Sequence, residues 1–341
     1  MMSDSKPFIT VAIATYNYAH FLPRCIEAIS QQTFRDFDVI IVDDGSTDDT
    51  QNVAQRLINQ YASMTIQYVF QENAGAAVAR NTALQRSESE YLCIHDGDDW
   101  MEPEGLTALA EEAKKTGADR IYSEIQLRNE QGKVTEVQRT PPNPCKWTYS
   151  SNCASLYKRT VFLEHKLEWK PGILSEDIYM NFWFSLYCKS CAFVPVATYN
   201  WVQHNDSISA PKKEENPLMG QRMMQEICDF SFPVYQQIET QLERDLMEYE
   251  VVKIYYISIY RSLRKLHYKN MMRGYKATHD CMMTTFPSFL KNPNLFRFRH
   301  SSLRLWPRTV IAVSAAAEKI HLMWLVLFVY HVIGKVYRFK M

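Results

Sequence analysis

Asp38-Val39-Ile40-Ile41-Val42-Asp43-Asp44-Gly45-Ser46 is a short β-branched run that stops abruptly at two acids, a glycine and a hydroxyl residue. An apolar run of this kind, bounded by turn residues, predicts a strand covered on both faces. The acids and glycine behind it predict a turn that feeds a helix. The same unit recurs on either side. Upstream, Phe8–Ala14 predicts a first strand and Phe21–Gln31 a helix. Downstream come a helix over Asp48–Tyr61, with Ser46 and Asp49 offering capping-box chemistry, then a strand at Thr65–Phe70, a helix at Ala76–Ser87 and a strand at Tyr91–Ile94. Glu104–Thr116 reads as a helix with Lys114 and Lys115 at its C-terminal end, matching the helix dipole, and Arg120–Glu124 as a fifth strand. This alternation predicts an α/β fold, Rossmann-like, with a mostly parallel sheet flanked by helices.

The rhythm pauses over residues 126–147, where Asn129, Gly132 and Pro141-Pro142-Asn143-Pro144 signal a hairpin and an irregular connection. Further strand-like pieces and an aromatic helix, Asp177–Leu186, follow to about residue 210, and beyond Pro217 the pattern is helical and basic. The expected division is a nucleotide-binding domain over 1–212 and a helical, basic region over 213–341. Net charge is zero overall, yet residues 251–341 hold 16 Lys and Arg against two acids, Asp280 and Glu318, so this segment is +14 and the rest is −14. An acidic catalytic part and a basic part that meets an anionic surface are the expectation. The first residues lack the apolar stretch of a secretory signal, which predicts a cytoplasmic protein. Eight scattered cysteines predict reduced thiols, Cys188-Lys-Ser-Cys191 included, rather than a disulfide scaffold.

In an open parallel sheet the ligand lies beyond the carboxyl ends of the strands. Three such ends carry chemistry: Thr15-Tyr16-Asn17, Asp43-Asp44-Gly45-Ser46 and His95-Asp96-Gly97-Asp98-Asp99. Singly, each reads as well as a turn, a helix cap or a solvated acidic loop. Together they converge acids on one edge, and acids that converge repel unless a cation or a ligand compensates. A carboxylate here can accept the N–H of a uracil ring, and a pair one residue apart can hold Mg²⁺ or Mn²⁺ against a diphosphate. The chain has neither Gly-x-Gly-x-x-Gly after strand one nor Gly-x-x-x-x-Gly-Lys-Ser/Thr, so a metal must take the phosphate-holding role of the glycine-rich cradles.

These residues resemble the family 2 inverting glycosyltransferases of the GT-A fold, of the bacterial surface-polysaccharide type. The matching features are Val11-Ala12-Ile13-Ala14-Thr15-Tyr16-Asn17, Val42-Asp43-Asp44-Gly45-Ser46-Thr47-Asp48, Asn73-Ala74-Gly75 with Ala79-Arg80-Asn81, and Asp96-Gly97-Asp98-Asp99, over roughly residues 8–210. The resemblance implies Asp44 or Asp43 as the uracil partner, Thr15 and Asn17 beside the nucleoside, and Arg80 against the base or diphosphate. It implies Asp96 near the ribose and sugar, Asp98 as direct metal ligand and Asp99 as a third acid of the metal set. Glu176-Asp177 matches the family's acidic pair at a helix start, with Asp177 as general base, since inversion needs a carboxylate opposite the leaving diphosphate. Tyr199–Ser209 looks like the segment that closes over the donor phosphates, with His204 as a phosphate or metal contact. Trp147, Trp169 and Trp201 could stack on sugars or simply fill the core.

Near the C-terminus, His321–Gly334 is a nearly unbroken apolar run of 14 residues followed by Lys335, Arg338 and Lys340. As a helix it would rise about 21 Å, short of the roughly 30 Å hydrocarbon core. With the basic residues Arg261, Arg264, Lys265, Lys269 and Arg273, and later Arg297, Arg299, Arg304 and Arg308, it predicts a helix lying in the inner leaflet of the cell membrane, a buried terminal helix or dimer interface being the alternative. The expected activity is metal-dependent transfer of a hexose or N-acetylhexosamine from a UDP-sugar to a hydroxyl of a lipid-linked or growing cell-surface glycan. Nucleic acid is not an expected partner. A catalytically silent nucleotide-sugar-binding subunit of a polysaccharide assembly complex is the competing expectation.

Overall fold

The computed structural model describes residues 6–139, 146–147, 151–204, 217–262, 267–296 and 305–336. The chain divides into two compact units, residues 1–140 with 150–210, and residues 141–149 with 211–341. The first contains β1 (Ile9–Thr15), α1 (Leu22–Ser30), β2 (Phe37–Asp43), α2 (Thr50–Gln60), β3 (Ile66–Phe70), α3 (Ala76–Arg86), β4 (Tyr91–Asp96) and β5 (Trp100–Met101). It continues through α4 (Gly105–Thr116), β6 (Arg120–Asn129), β7 (Val134–Gln138), β8 (Ser155–Lys158), α5 (Arg159–His165), α6 (Glu176–Tyr187) and β9 (Cys191–Gln203).

All these strands join one sheet in the order β3-β2-β1-β4-β8-β6-β9-β5, with β7 hydrogen-bonded to β6. The half β3-β2-β1-β4 is parallel throughout. Past β4 the sheet turns mixed: β8 runs antiparallel to both β4 and β6, while β6 and β9 are parallel. The apolar runs became strands because their side chains are covered on both faces: Val11, Ala12 and Ile13 of β1, Val39 to Val42 of β2, and Leu92, Cys93 and Ile94 of β4 are at most 1% exposed. The hairpin signalled by Asn129 and Gly132 forms between β6 and β7, with Gly132 in the left-handed region. Pro141–Pro144 lie outside the described residues.

One local expectation is corrected. Neither Ser46 nor Asp49 caps α2. Asp49 stands at the N-cap position without a side-chain cap, and Asp48 before it accepts the Thr50 N–H at 3.0 Å, while the Ser46 hydroxyl accepts the Asn17 N–H at 2.8 Å and so ties the end of β1 to the end of β2.

The second unit holds α7 (Pro217–Gln237), α8 (Gln241–Ser262), α9 (Tyr268–Thr285), two short 3₁₀ turns, α10 (Leu305–Lys319) and α11 (Met323–Val336). Its interior is rich in Tyr, Met and Phe, with Tyr255, Tyr256, Met282 and Phe289 fully buried. Trp147, expected as a possible sugar platform, is 2% exposed and packs in this unit's share of the chain, beneath the Lys146 ammonium. Among the described residues no helix is long and apolar enough to cross a membrane. Arg264, Lys265, Arg297, Arg299, Arg304, Arg338 and Lys340 lie outside the described residues.

Candidate active site

The parallel half of the sheet brings three informative strand ends side by side: Thr15 of β1 pairs with Asp43 of β2, and Ala14 with Asp96 of β4. Two glycines make the close approach possible. A Cβ on Gly45, whose φ is +76°, would lie 2.6 Å from the Asn73 nitrogen, and one on Gly97 would lie 2.9 Å from Thr15 Oγ1. The loops after β2 and β4 can therefore press against their neighbours.

Asp43 and Asp44 are both buried and both build loops. Asp43 accepts the Ser46 N–H (2.8 Å) and the Tyr68 hydroxyl (2.7 Å). Asp44 accepts the N–H groups of Ala74 (3.0 Å) and Gly75 (2.7 Å) and the Gln71 amide (2.7 Å), pinning the segment before α3. Asn17, at φ +56°, accepts the Thr47 N–H at 2.7 Å and knots β1 to β2 from the other side. Thr15 Oγ1 is buried and has no hydrogen-bond partner. These four residues line the strand ends together; the side-chain oxygens of Asn17, Asp43 and Asp44 hold their own loops, while Thr15 Oγ1 does not.

Arg80 is placed among acids of the site. Its guanidinium, 4% exposed, donates to Asp177 Oδ1 (3.0 Å), to Glu176 Oε1 (3.4 Å) and to Asp96 Oδ1 (3.0 Å). Burial alone would push this group down, but Asp177 and Asp96 outweigh it and hold the charge. Arg80 is thus engaged with the acids of the site on both sides, leaving Nε alone among its nitrogens without a partner. Asn81 beside it exchanges two 2.8 Å hydrogen bonds with the backbone of Trp169, which is fully buried and stacked on Phe162 at 5.2 Å. Trp169 is therefore core, and Trp201 packs partly buried against the same core.

Asp177 opens α6 and is gripped a second time by the Asn152 amide at 2.8 Å; Asn152 in turn accepts from Asn181 and Tyr157. Burial raises the Asp177 carboxyl and Asp96 adds to it, against the downward pull of Arg80 and Asn152. Glu176 is likewise raised by burial and by Asp177, with Arg80 opposing.

The acidic run divides into distinct roles. Asp96 faces Arg80 and keeps a third of its side chain exposed. Asp98 meets His204 Nε2 at 2.8 Å, with Tyr18 also hydrogen-bonded to it; burial and Asp96 raise this carboxyl, and His204 opposes. Asp99 is 3% exposed and has both oxygens committed, one to the Val202 N–H (2.7 Å), the other to the Tyr199 hydroxyl (2.8 Å). Expected as a metal ligand, Asp99 instead anchors the run to β9, because two fixed donors occupy it. Tyr199 also receives the Asp96 N–H at 3.2 Å. His95, just before the run, is fully buried and pushed down to about 4, so it is neutral and donates from Nδ1 to the Asp96 carbonyl. Of the closing segment, Tyr199–His204 belong to this arrangement; Asn205–Ser209 lie outside the described residues.

Among the described residues no three His, Cys, Asp or Glu side chains converge as a metal cage. Asp98 with His204, and Asp96 across from them, still fits a divalent ion of the kind completed by substrate phosphates, which takes only one or two protein carboxylates. His204 Nδ1 is buried without a hydrogen-bond partner among the described residues, and its ring packs against Phe21 at 4.3 Å and Tyr18 at 6.0 Å.

Residues 10–175 match the sequence pattern of the family described as Glycosyl transferase family 2. This segment is a family 2 glycosyl transferase domain. The transferase domain is similar to "Putative glycosyltransferase EpsH" of Bacillus subtilis (strain 168), 24% identical over 225 residues that cover 59% of this chain and 62% of that protein. Among solved structures the chain resembles S. aureus TarS 1-349 in complex with UDP-GlcNAc, at a TM-score of 0.69 and 17% identity over 96% of this chain and 91% of that one. It also resembles the mannosyltransferase PcManGT of Pyrobaculum calidifontis in complex with GDP-Man and Mn²⁺, at a TM-score of 0.56 and 14% identity over 99% and 89%. The fold of the transferase domain is accordingly of the GT-A type. Sequence reasoning missed Asn152 and Tyr18 as supports of the site: an Asn in a Ser-rich stretch reads as a turn, and Tyr18 stands between strand and helix without a motif of its own.

Proposed function

We propose that the protein is an inverting glycosyltransferase that moves a hexose or N-acetylhexosamine from a UDP-sugar to a hydroxyl of a lipid-linked or growing cell-surface glycan. The observation that carries this reading is the Arg80 guanidinium, which ties the donor-side Asp96 to Asp177 and Glu176 within one small site. The UDP-GlcNAc and GDP-Man complexes of TarS and PcManGT support a nucleotide-sugar donor.

The base of the donor would rest on the wall built by Thr15, Asn17, Asp43 and Asp44. Asp98 and His204, with Asp96 near, would hold Mn²⁺ or Mg²⁺, which when bound offsets the negative charge of the departing diphosphate. Asp177 takes the proton from the acceptor hydroxyl as that oxygen attacks the anomeric carbon. A new C–O bond forms there as the bond to the diphosphate breaks on the opposite face. Arg80 and Asn152 aim Asp177 and favour its ionised form; Glu176 is the third carboxylate around the single charge of Arg80. The reading includes work at the inner face of the cell membrane as a peripheral protein, supported by the basic C-terminal segment.

Incubating the full chain with a panel of UDP-sugars, Mn²⁺ and an authentic acceptor tests the proposal. Wild type should form product. Asp98→Ala should lose the Mn²⁺-dependent part of donor binding, and Asp177→Ala should bind donor without transferring it. Full transfer by both variants would sink the assignment, and donor-dependent thermal stabilisation without any turnover would favour a silent binding subunit.

A further inference from the structure

The helix α11 is two-faced. Met323 and Leu327 are 2% and 0% exposed, and Tyr330 packs edge-on against Tyr260 while donating to its carbonyl at 3.1 Å. Tyr268 of α9 donates to the Trp324 carbonyl at 3.0 Å and sets its ring against Phe328. These contacts fix the helix on the unit that carries it. Its other side presents Trp324, Leu325, Phe328, Val329 and Val332, each between 41% and 49% exposed, at helical spacing. Ile320 and Leu322, in the turn before it, are exposed as well. Of the 17 large apolar side chains exposed among the described residues, seven thus fall within 320–332, a concentration that isolated surface hydrophobics do not produce.

Charge identifies what covers this face. The only acid between 305 and 336 is Glu318, and it is turned inward, accepting the hydroxyls of Tyr255 (2.6 Å), Tyr256 (2.5 Å) and Tyr275 (2.9 Å). Outside, Lys319 is exposed, and α9, which packs against α11, exposes Lys269, Arg273 and Lys276 at helical spacing, with Asp280 the one exposed acid there. Lys335, Arg338 and Lys340 follow in sequence. A second copy of the same face would set these cations against one another. A leaflet with anionic headgroups accepts both the apolar side chains and the cations. From Trp324 to Val332 the helix rises about 12 Å, so it fits in the plane of the leaflet and not across the roughly 30 Å core.

We propose that the Trp324–Val332 face of α11 is a bilayer-docking surface that lies in the plane of an anionic leaflet, with Lys269, Arg273, Lys276 and Lys319 on the lipid phosphates. This deepens the membrane part of the proposed function and rests on it, while the transfer chemistry stands apart.

The test is sedimentation of the full chain with vesicles of phosphatidylcholine and with vesicles partly replaced by phosphatidylglycerol. Wild type should partition to the phosphatidylglycerol vesicles in a salt-sensitive way. Leu325→Glu with Phe328→Glu should weaken that partition about tenfold or more, and Lys269→Glu with Arg273→Glu should weaken it on the anionic vesicles only. The milder Phe328→Ser should move in the same direction, and unchanged circular dichroism and UDP-dependent stabilisation confirm that the variants fold. Unaltered partition of Leu325→Glu/Phe328→Glu overturns the surface while leaving membrane association intact. No partition of wild type onto any vesicle overturns both, with donor turnover read separately. A wild-type dimer that these substitutions convert to monomer assigns the face to self-association and likewise overturns it.

Discussion

Asp99 in the first unit and Glu318 in the second are both buried acids held by tyrosine hydroxyls, yet their surroundings oppose each other. Glu318 accepts from three phenols, and His279 Nδ1 lies 3.5 Å from the same carboxyl, so the protein's own groups surround it. Asp99 shares its corner with Asp98 and Asp96; burial raises it well above the ordinary carboxylate range, and the two neighbours push it further. The first arrangement is complete as it stands. In the second, like charge presses on Asp99, with the Arg24 guanidinium as a nearby protein cation. Glu318 thus stands among phenols, whereas Asp99 stands beside two more acids, at the place the proposed function gives to a cation.

This contrast can be broken at graded cost. Asp177→Asn should lower kcat by about 10²–10⁴-fold while donor-dependent thermal stabilisation survives; a loss of stabilisation instead would make Asp177 a folding residue. Glu318→Ala should cost a few kcal/mol in chemical denaturation, because each stranded hydroxyl costs about 1–3 kcal/mol, with no change in donor KM. Tyr199→Phe should cost about 1–3 kcal/mol by leaving one Asp99 oxygen without its donor, and should lower kcat less than Asp177→Asn.

The smallest expected effect is a shift in pH dependence. Asp177 must be ionised to accept a proton, and burial favours its protonated form, so transfer should fall as pH drops through a value above the ordinary ~3.9 of an aspartate. Removing the opposing charge in Arg80→Gln should move that acid limb to higher pH. A pH–kcat profile in which Arg80→Gln leaves the limb in place, while donor KM rises, would return Arg80 to the diphosphate.

The parallel half of the sheet was legible because its strands are buried on both faces, which writes an uninterrupted apolar run into the sequence. Trp100–Met101 was not, since two residues carry no period at all. The acids of the site were visible as clusters at strand ends, but clustering does not say which oxygen is spent on a loop. Asp99 and Asp44 look like Asp98 in a string of letters and differ in the groups that reach them: Tyr199 and the Val202 N–H, Gln71 and the Ala74 and Gly75 N–H groups, and His204 respectively. Arg80 was found, but its pairing with Glu176 and Asp177 was not, for they lie 96 and 97 positions away in sequence.

That distance has a consequence in time. Arg80 and Asp177 are separated by 97 positions, and the clasp between Asn81 and Trp169 by 88. Closing such long loops is slow compared with forming neighbouring strand-helix units. As the chain leaves the ribosome, the wall that would face the nucleotide can form first, from residues before 100. Asp177, the proposed proton acceptor, joins it only when α6 emerges, so an unfinished chain would hold the proposed donor wall without its base.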